Sequence, residues 1–327
     1  MSLPNLRSDR WYRWSGAHVR VLLTRRAWFI TLLLTITVWN AGCSQPLPQL
    51  AEPKPFDGQR ALEDVVYQVN LGPRIPGSPG HAQAVEWMVK ELRGAGWTAE
   101  VQETELLGHP IRNVVGRWGE GRPWIVLGAH YDTRMFADED PDPQNWQQPV
   151  PGGNDGASGV AVLLELARSW PSHVTAAGEP NRQLPGQFWL VFFDAEDNGN
   201  IPGWDWILGS RAFVTGLDEF PDAAVIVDMI GDADLNIYQE RNSDPLLTQE
   251  IWAQAQALGY SAQFIPQPKY SMIDDHTPFL EAGIPAVNLI DFDYPYWHTL
   301  ADTADKVSAE SLQAVGDTLL AWLAKGR

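Results

Sequence analysis

The sequence predicts an α/β sandwich around a mostly parallel sheet. Short apolar runs bounded by Gly and Pro alternate along the chain with stretches of helical period, as when helices join the strands of one sheet. The runs at 124–127 and 188–193 are wholly apolar, as expected of strands covered on both faces. Polar residues gather directly after these runs, where open α/β sheets place their ligands.

Residues 59–69 put Leu62, Val65, Val66 and Val69 at helical spacing. Ile75-Pro76-Gly77-Ser78-Pro79-Gly80 is a turn cluster. A second helix spans 81–95, with Val85, Met88, Val89 and Leu92 on one face and Gly94 and Gly96 at its end. Residues 98–105 alternate like an edge strand, and 113–117 and 124–127 read as buried strands. Residues 161–169 are a buried helix and 188–193 a central strand. Helices follow at 206–214 and 246–258, strands at 223–227 and 286–290, and an amphipathic helix closes the chain at 308–324. There is no internal repeat, and one domain is expected over 59–327. The acidic loop 134–153 is of a length that is often functional.

The net charge of −18 excludes a nucleic-acid binder, which needs clustered Lys and Arg for phosphate. One cysteine excludes a disulfide framework and a Cys-rich zinc module. The charge is uneven. Six arginines against Asp9 give residues 1–42 a charge of +5, so 43–327 carry −23. The basic stretch runs into an uncharged apolar segment, 27–39, and then small residues, which describes an export signal. That segment is short for spanning a bilayer. Cys43 follows Ala41-Gly42 and resembles a bacterial lipoprotein processing site, although Asn40 stands where Leu is usual. A lipid-modified Cys43, a plain cleaved signal and an uncleaved anchor all fit. Residues 43–58, rich in Pro, read as an extended tether. An extracytoplasmic protein is expected, attached to a membrane through its N-terminal segment and otherwise monomeric.

The strand ends carry His130 and Asp132, then Asp194, Glu196 and Asp197, then Asp228. Asp155 lies in a Gly-rich turn before a helix, and His298 follows the last strand. One such carboxylate is often only a helix cap, and His18, His81, His109 and His173 need no special role. Two His and several carboxylates at successive strand ends are another matter. Imidazole and carboxylate without thiolate suit a catalytic zinc with an open position.

These residues resemble the zinc aminopeptidase/glutaminyl cyclase superfamily over about 59–325. The resemblance implies a single-domain three-layer sandwich with a central twisted, mixed sheet. It implies zinc ligands at Asp155, Asp197 and His298, with His130 and Asp228 joining if two zincs bind, and a general acid/base at Glu196. Asp stands at 197 where Glu is commoner. Within the superfamily the chain resembles glutaminyl-peptide cyclotransferases. Pro73-Arg74-Ile75-Pro76-Gly77-Ser78-Pro79-Gly80, the doubled acid Asp274-Asp275-His276, Trp297-His298 and Gly209-Ser210-Arg211 carry that likeness. Animal cyclases have a cysteine pair near the positions of Ala129 and Val160. Its absence fits a bacterial member.

The implied reaction closes an N-terminal Gln to pyroglutamate and releases ammonia, on peptide or protein N-termini. It is intramolecular, so orientation supplies much of the rate. Glu196 would take a proton from the amine and return one to the leaving nitrogen. Asp228 and Asp274 would form a hydrogen-bonded group with it. Trp297 and one of Trp204 and Trp206 would wall the pocket. His276 reads as a structural partner of Asp275. The rival enzyme is a secreted two-zinc aminopeptidase using Glu196 as base. A tethered binding protein with a degenerate metal site is the third reading, and an intact Glu196 argues against it.

Overall fold

The computed structural model describes residues 53–176 and 186–326. The export segment and Cys43 lie outside the described residues. In chain order the elements are α1 Gly58–Asn70, α2 Pro79–Gly94, β1 Thr98–Leu106, β2 His109–Glu120, β3 Trp124–His130, α3 Ala157–Ala176, β4 Gly186–Phe193, α4 Leu208–Thr215 and β5 Ala223–Asp228. There follow β6 Ile237–Gln239, α5 Pro245–Leu258, β7 Phe264–Pro268, α6 Thr277–Glu281, β8 Ala286–Ile290, a short 3-10 turn Ala304–Lys306 and α7 Ala309–Lys325.

Six strands form the central sheet in the order β1-β2-β4-β3-β5-β8. β4, β3, β5 and β8 run parallel, and β2 and β1 are antiparallel additions at one edge. Alternate residues of the parallel strands feed two cores. Ile125, Leu127, Val225, Val227 and Leu289 pack with α1, α2, α3, α5 and α7. Val126, Val191, Phe193, Ala224 and Ile226 pack with Phe213 of α4 and Phe279 of α6. The result is the three-layer mixed-sheet sandwich expected. Every residue of β3, β5 and β8 is buried, which is why these runs lack alternation.

Helix starts follow their caps. Asp57, Ser78, Asp244 and Ser308 each accept a backbone N–H from the first turn that follows. Ser78 with Pro79 starts α2 two residues before the period alone indicated. In the other direction, α4 begins at Leu208 rather than 206. Ile207 has φ +57, a left-handed conformation no helix continues through. β2 is longer than its apolar run because Leu107-Gly108, both at positive φ, closes a two-residue hairpin that pairs it fully with β1. The β6–β7 pair and α6 carry too few residues to show a period.

The tether ends earlier than the composition indicated. Phe56 is buried, and its ring fills a slot on α7 that exists because residue 316 is glycine. A Cβ at Gly316 would meet the ring at 2.3 Å. The described residues fall in one compact unit. Among the described residues no helix is long and apolar enough to cross a membrane.

Candidate metal centre and active site

The carboxyl ends of β3, β4 and β5 adjoin at the centre of the sheet, and the loops leaving them converge. His130 ends β3 and Asp228 ends β5. Glu196 and Asp197 leave β4, held by Asp132 across the strand gap. Asp132 accepts the N–H of Glu196 at 3.0 Å and of Asp197 at 3.3 Å, and the Asn198 amide at 3.2 Å. Asp155 precedes α3. Its N–H and that of Asn154 donate to the two oxygens of Asp302, at 3.2 and 2.7 Å, and the Tyr294 hydroxyl donates to Asp302 at 2.6 Å. Ala195, Met229 and His298 all have φ near +50. This uncommon backbone conformation brackets the site, where such strain tends to be kept.

Two sets of ligand atoms meet here, His130/Asp155/Asp228 and Asp155/Asp197/His298, each within 4.8 Å. Asp155 belongs to both. Its Oδ1 lies 3.1 Å from His130 Nε2 and its Oδ2 3.8 Å from His298 Nε2. Asp228 Oδ1 is 3.1 Å from His130 Nε2, and Asp197 Oδ1 is 2.7 Å from His298 Nε2. All five are buried. Among the described residues, Asp155 Oδ2 and Asp197 Oδ2 have no hydrogen-bond donor. Buried carboxylate oxygens without donors are costly, and a bound cation relieves them. The residues present therefore fit a metal. Asp132 and Asp138 stand 3.5 Å from the outer nitrogens of His130 and His298, as orienting partners of metal-binding imidazoles do.

Glu196 is buried beside these ligands. Burial, opposed by His130 and reinforced by Asp197, Asp275 and Asp274, pushes its carboxyl well above the usual range. A pocket of about 260 Å³ opens onto it, lined by Asp228, Asp274, Trp206, Trp297, Met272 and Phe292 among others. Trp297 stacks on His298 with ring centres 3.7 Å apart. Trp206 lies over the Arg134 guanidinium at 5.1 Å. A larger cavity, about 730 Å³, lies between α5 and the β6–β7 pair and contains neither ligand set.

Of the two alternatives for a wall residue, only Trp206 lines the pocket. Trp204 stacks on His109 at 3.6 Å and packs with Leu208 instead. Asp274 lines the pocket while Asp275 is fully buried. The donors reaching Asp274 are Asp275 N–H and Asn288 Nδ2. His276 is buried, as expected, but faces Glu240 at 3.3 Å instead of Asp275. Residues missed by the sequence reading include Asp302, Asp138, Arg134 and Asn288. Arg134, in the acidic loop, donates to the carbonyls of Asp197 and Gly199 at 3.0 and 2.8 Å and pairs with Asp138. Its place in that loop was the only signal.

Without metal these buried acids and imidazoles set a pH dependence. The carboxyls of Asp197, Asp228, Asp291 and Asp302 are pushed by burial to about 6, 7, 7 and 7. Burial opposes the rise of His298, but Asp197 and Asp138 carry it to about 9. Each of the five keeps its proton to a higher pH in the folded state than in the unfolded chain. Their stabilisation is present at low pH and lost as pH rises through these values. Asp155 and Asp138 have the opposite sign but titrate below this window. EDTA-treated protein is therefore expected to melt at a lower temperature at about pH 8 than at about pH 5.5. A melting temperature that rises with pH in EDTA contradicts this.

Residues 113–323 match Peptidase family M28. A Bos taurus glutaminyl-peptide cyclotransferase-like protein is 25% identical over 285 residues, covering 77% of this chain and 72% of that one. The crystal structure of Porphyromonas gingivalis glutaminyl cyclase superposes with a TM-score of 0.75 at 32% identity, over 83% of this chain and 98% of that one. A leucine aminopeptidase precursor from Bacteroides thetaiotaomicron VPI-5482 superposes at 0.76 with 29% identity, over 84% and 99%. The carboxylate–imidazole centre thus sits on a fold shared with enzymes, and the chain belongs to peptidase family M28, with glutaminyl cyclases among its relatives.

Proposed function

We propose that this enzyme is a zinc-dependent glutaminyl-peptide cyclotransferase, converting N-terminal Gln to pyroglutamate with loss of ammonia. The observation that carries the reading is the pocket. It is small, walled by Trp206, Trp297 and Phe292, and lined by Glu196 and Asp274 together with Asp155 and Asp197 of the ligand set. An aromatic slot of this size suits one flat side chain and keeps water from competing. The cyclotransferase-like protein and the glutaminyl cyclase named above support the same reading, while the aminopeptidase precursor bears on the second one below.

Asp155, Asp197 and His298 would hold the metal, which when bound supplies Lewis-acid polarisation of the side-chain amide carbonyl. The chain's own groups do the rest. The aromatic walls fold the Gln side chain back toward its own amine, which makes the attack intramolecular. Glu196 accepts a proton as the amine nitrogen bonds to the amide carbon. It returns a proton to the departing nitrogen as that carbon–nitrogen bond breaks, so ammonia leaves and Glu196 is restored. Asp274 and Asp228 favour positive charge on the attacking amine.

A second reading, a two-zinc aminopeptidase, is favoured by one observation: both ligand sets are complete and share Asp155. Product separates the two. Gln-initiated dipeptides are expected to yield ammonia with no free amino acid, and metal analysis about one zinc per chain. Free leucine from Leu-initiated peptides without ammonia, or two tightly held zincs, favours the peptidase. We also propose that the enzyme works outside the cytoplasm on exported chains, held at the cell envelope through Cys43. The +5 segment, the apolar run behind it and the lone cysteine support this.

A further inference from the structure

We propose that Glu240 is a positioning residue for the reaction, acting through Asp274. The inference rests on the reading of Asp274 as a group that faces the attacking amine.

The pocket wall formed by Met272, Ile273 and Asp274 belongs to a segment, 269–276, that is neither helix nor strand. Ile273 is 61% exposed, so burial does little to fix the wall from outside. Hydrogen bonds hold it, and three of them come from the turn after β6. Arg241 N–H donates to the Tyr270 carbonyl at 2.8 Å, and Asn242 Nδ2 to the Met272 carbonyl at 3.2 Å. The Met272 N–H donates to Glu240 Oε1 at 3.2 Å.

The other oxygen of Glu240 organises the turn itself. Oε2 accepts from Asn242 N–H, Ser243 N–H and Ser243 Oγ, at 2.9, 2.8 and 2.9 Å. Ser243 Oγ in turn accepts the Asn288 N–H at 3.0 Å, and Asn288 Nδ2 donates to Asp274 Oδ2. One buried carboxylate thus reaches Asp274 by two routes, along the chain through Met272 and across β8 through Ser243 and Asn288. His276, two residues beyond Asp274, closes the group at 3.3 Å from Oε2.

The position demands an acid. Four donors converge on two oxygens, and only a carboxylate accepts at both. A glutamine has one acceptor oxygen. Whichever way its amide turns, the NH₂ faces either the Met272 N–H or the Asn242 and Ser243 donors, leaving buried donors opposed. Glu240 touches neither the pocket nor the ligand sets. Any effect on turnover must therefore pass through the wall it holds.

The test is a double-mutant cycle on the full chain, with exchange as a second reading. Glu240→Gln is expected to lower kcat about 10–100-fold, the scale of a small misplacement, with KM little changed. In an Asp274→Asn background the same substitution is expected to change kcat no more than about twofold, because the coupling is already lost. Hydrogen exchange at the Met272 amide is expected to quicken about tenfold or more, with exchange in β5 and zinc content unchanged. Equal loss in both backgrounds, or unaltered Met272 exchange, overturns the proposal. If Glu240→Gln does not fold, Ser243→Ala removes the hydroxyl link to Asn288 and is held to the same kcat coupling. The wild-type product decides the cyclase reading separately, and Met272 exchange involves no chemistry, so the two can fail independently.

Discussion

Glu196→Gln is expected to leave the metal bound and to remove about 10²–10⁴-fold of the turnover. The substitution exchanges one carboxylate oxygen for an NH₂ group of nearly the same size, and the backbone that carries it is fixed independently. Asp132 binds the N–H groups of residues 196 and 197, and the carbonyl of residue 196 accepts from Ile207 N–H at 2.9 Å. Glu196 belongs to neither ligand set, so zinc content is expected to match wild type. What is lost is the proton carrier. A carboxamide neither accepts a proton from the amine nor delivers one to the leaving nitrogen. Ammonia release from a Gln dipeptide, measured beside metal analysis on the same sample, checks both halves. Wild-type turnover overturns the assigned role, and loss of zinc with loss of turnover makes the residue structural.

The legibility of this site follows from how each residue is fixed. His130, Asp197 and Asp228 could be read from sequence because fully buried parallel strands leave continuous apolar runs, and the residue after such a run has a known place. Asp155 and His298 could be located because a Gly-rich turn and an aromatic-flanked His stand out locally. Asp302 could not, since its importance lies in two N–H groups well over a hundred residues away. Glu240 was invisible for the same reason: its partners at 272 and 276 are tertiary neighbours. Trp204 and Trp206 share composition and neighbourhood, and what separates them is tertiary: Trp204 stacks on His109, nearly a hundred residues away, while Trp206 lines the pocket. The tether boundary failed similarly, because Phe56 is buried by a glycine on the last helix, far away in sequence.

Asp155→Asn is expected to have the largest effect of any single substitution, because no choice between one and two metals spares it. Its carboxylate is common to both ligand sets, with one oxygen toward His130 and the other toward His298. An amide there contributes one neutral oxygen where two anionic ones stood. The other ligands of the Asp155/Asp197/His298 set, Asp197 and His298, then pair with each other at 2.7 Å instead of holding an ion. Zinc affinity is expected to fall well beyond the roughly 10–100-fold that loss of an outer partner costs, and turnover to fall with it. The comparison variant is His130→Asn. A one-metal enzyme keeps its ion on Asp155, Asp197 and His298, so this variant is expected to retain about one zinc per chain while Asp155→Asn retains almost none. Metal analysis after dialysis reads both. Full zinc in Asp155→Asn removes this carboxylate from the centre. A drop from two zincs to one in His130→Asn instead shows the His130/Asp155/Asp228 set loaded in the native enzyme and shifts the balance to the hydrolytic reading. The shared carboxylate therefore tests the metal centre, and the histidine on one side of it tests which reaction the centre serves.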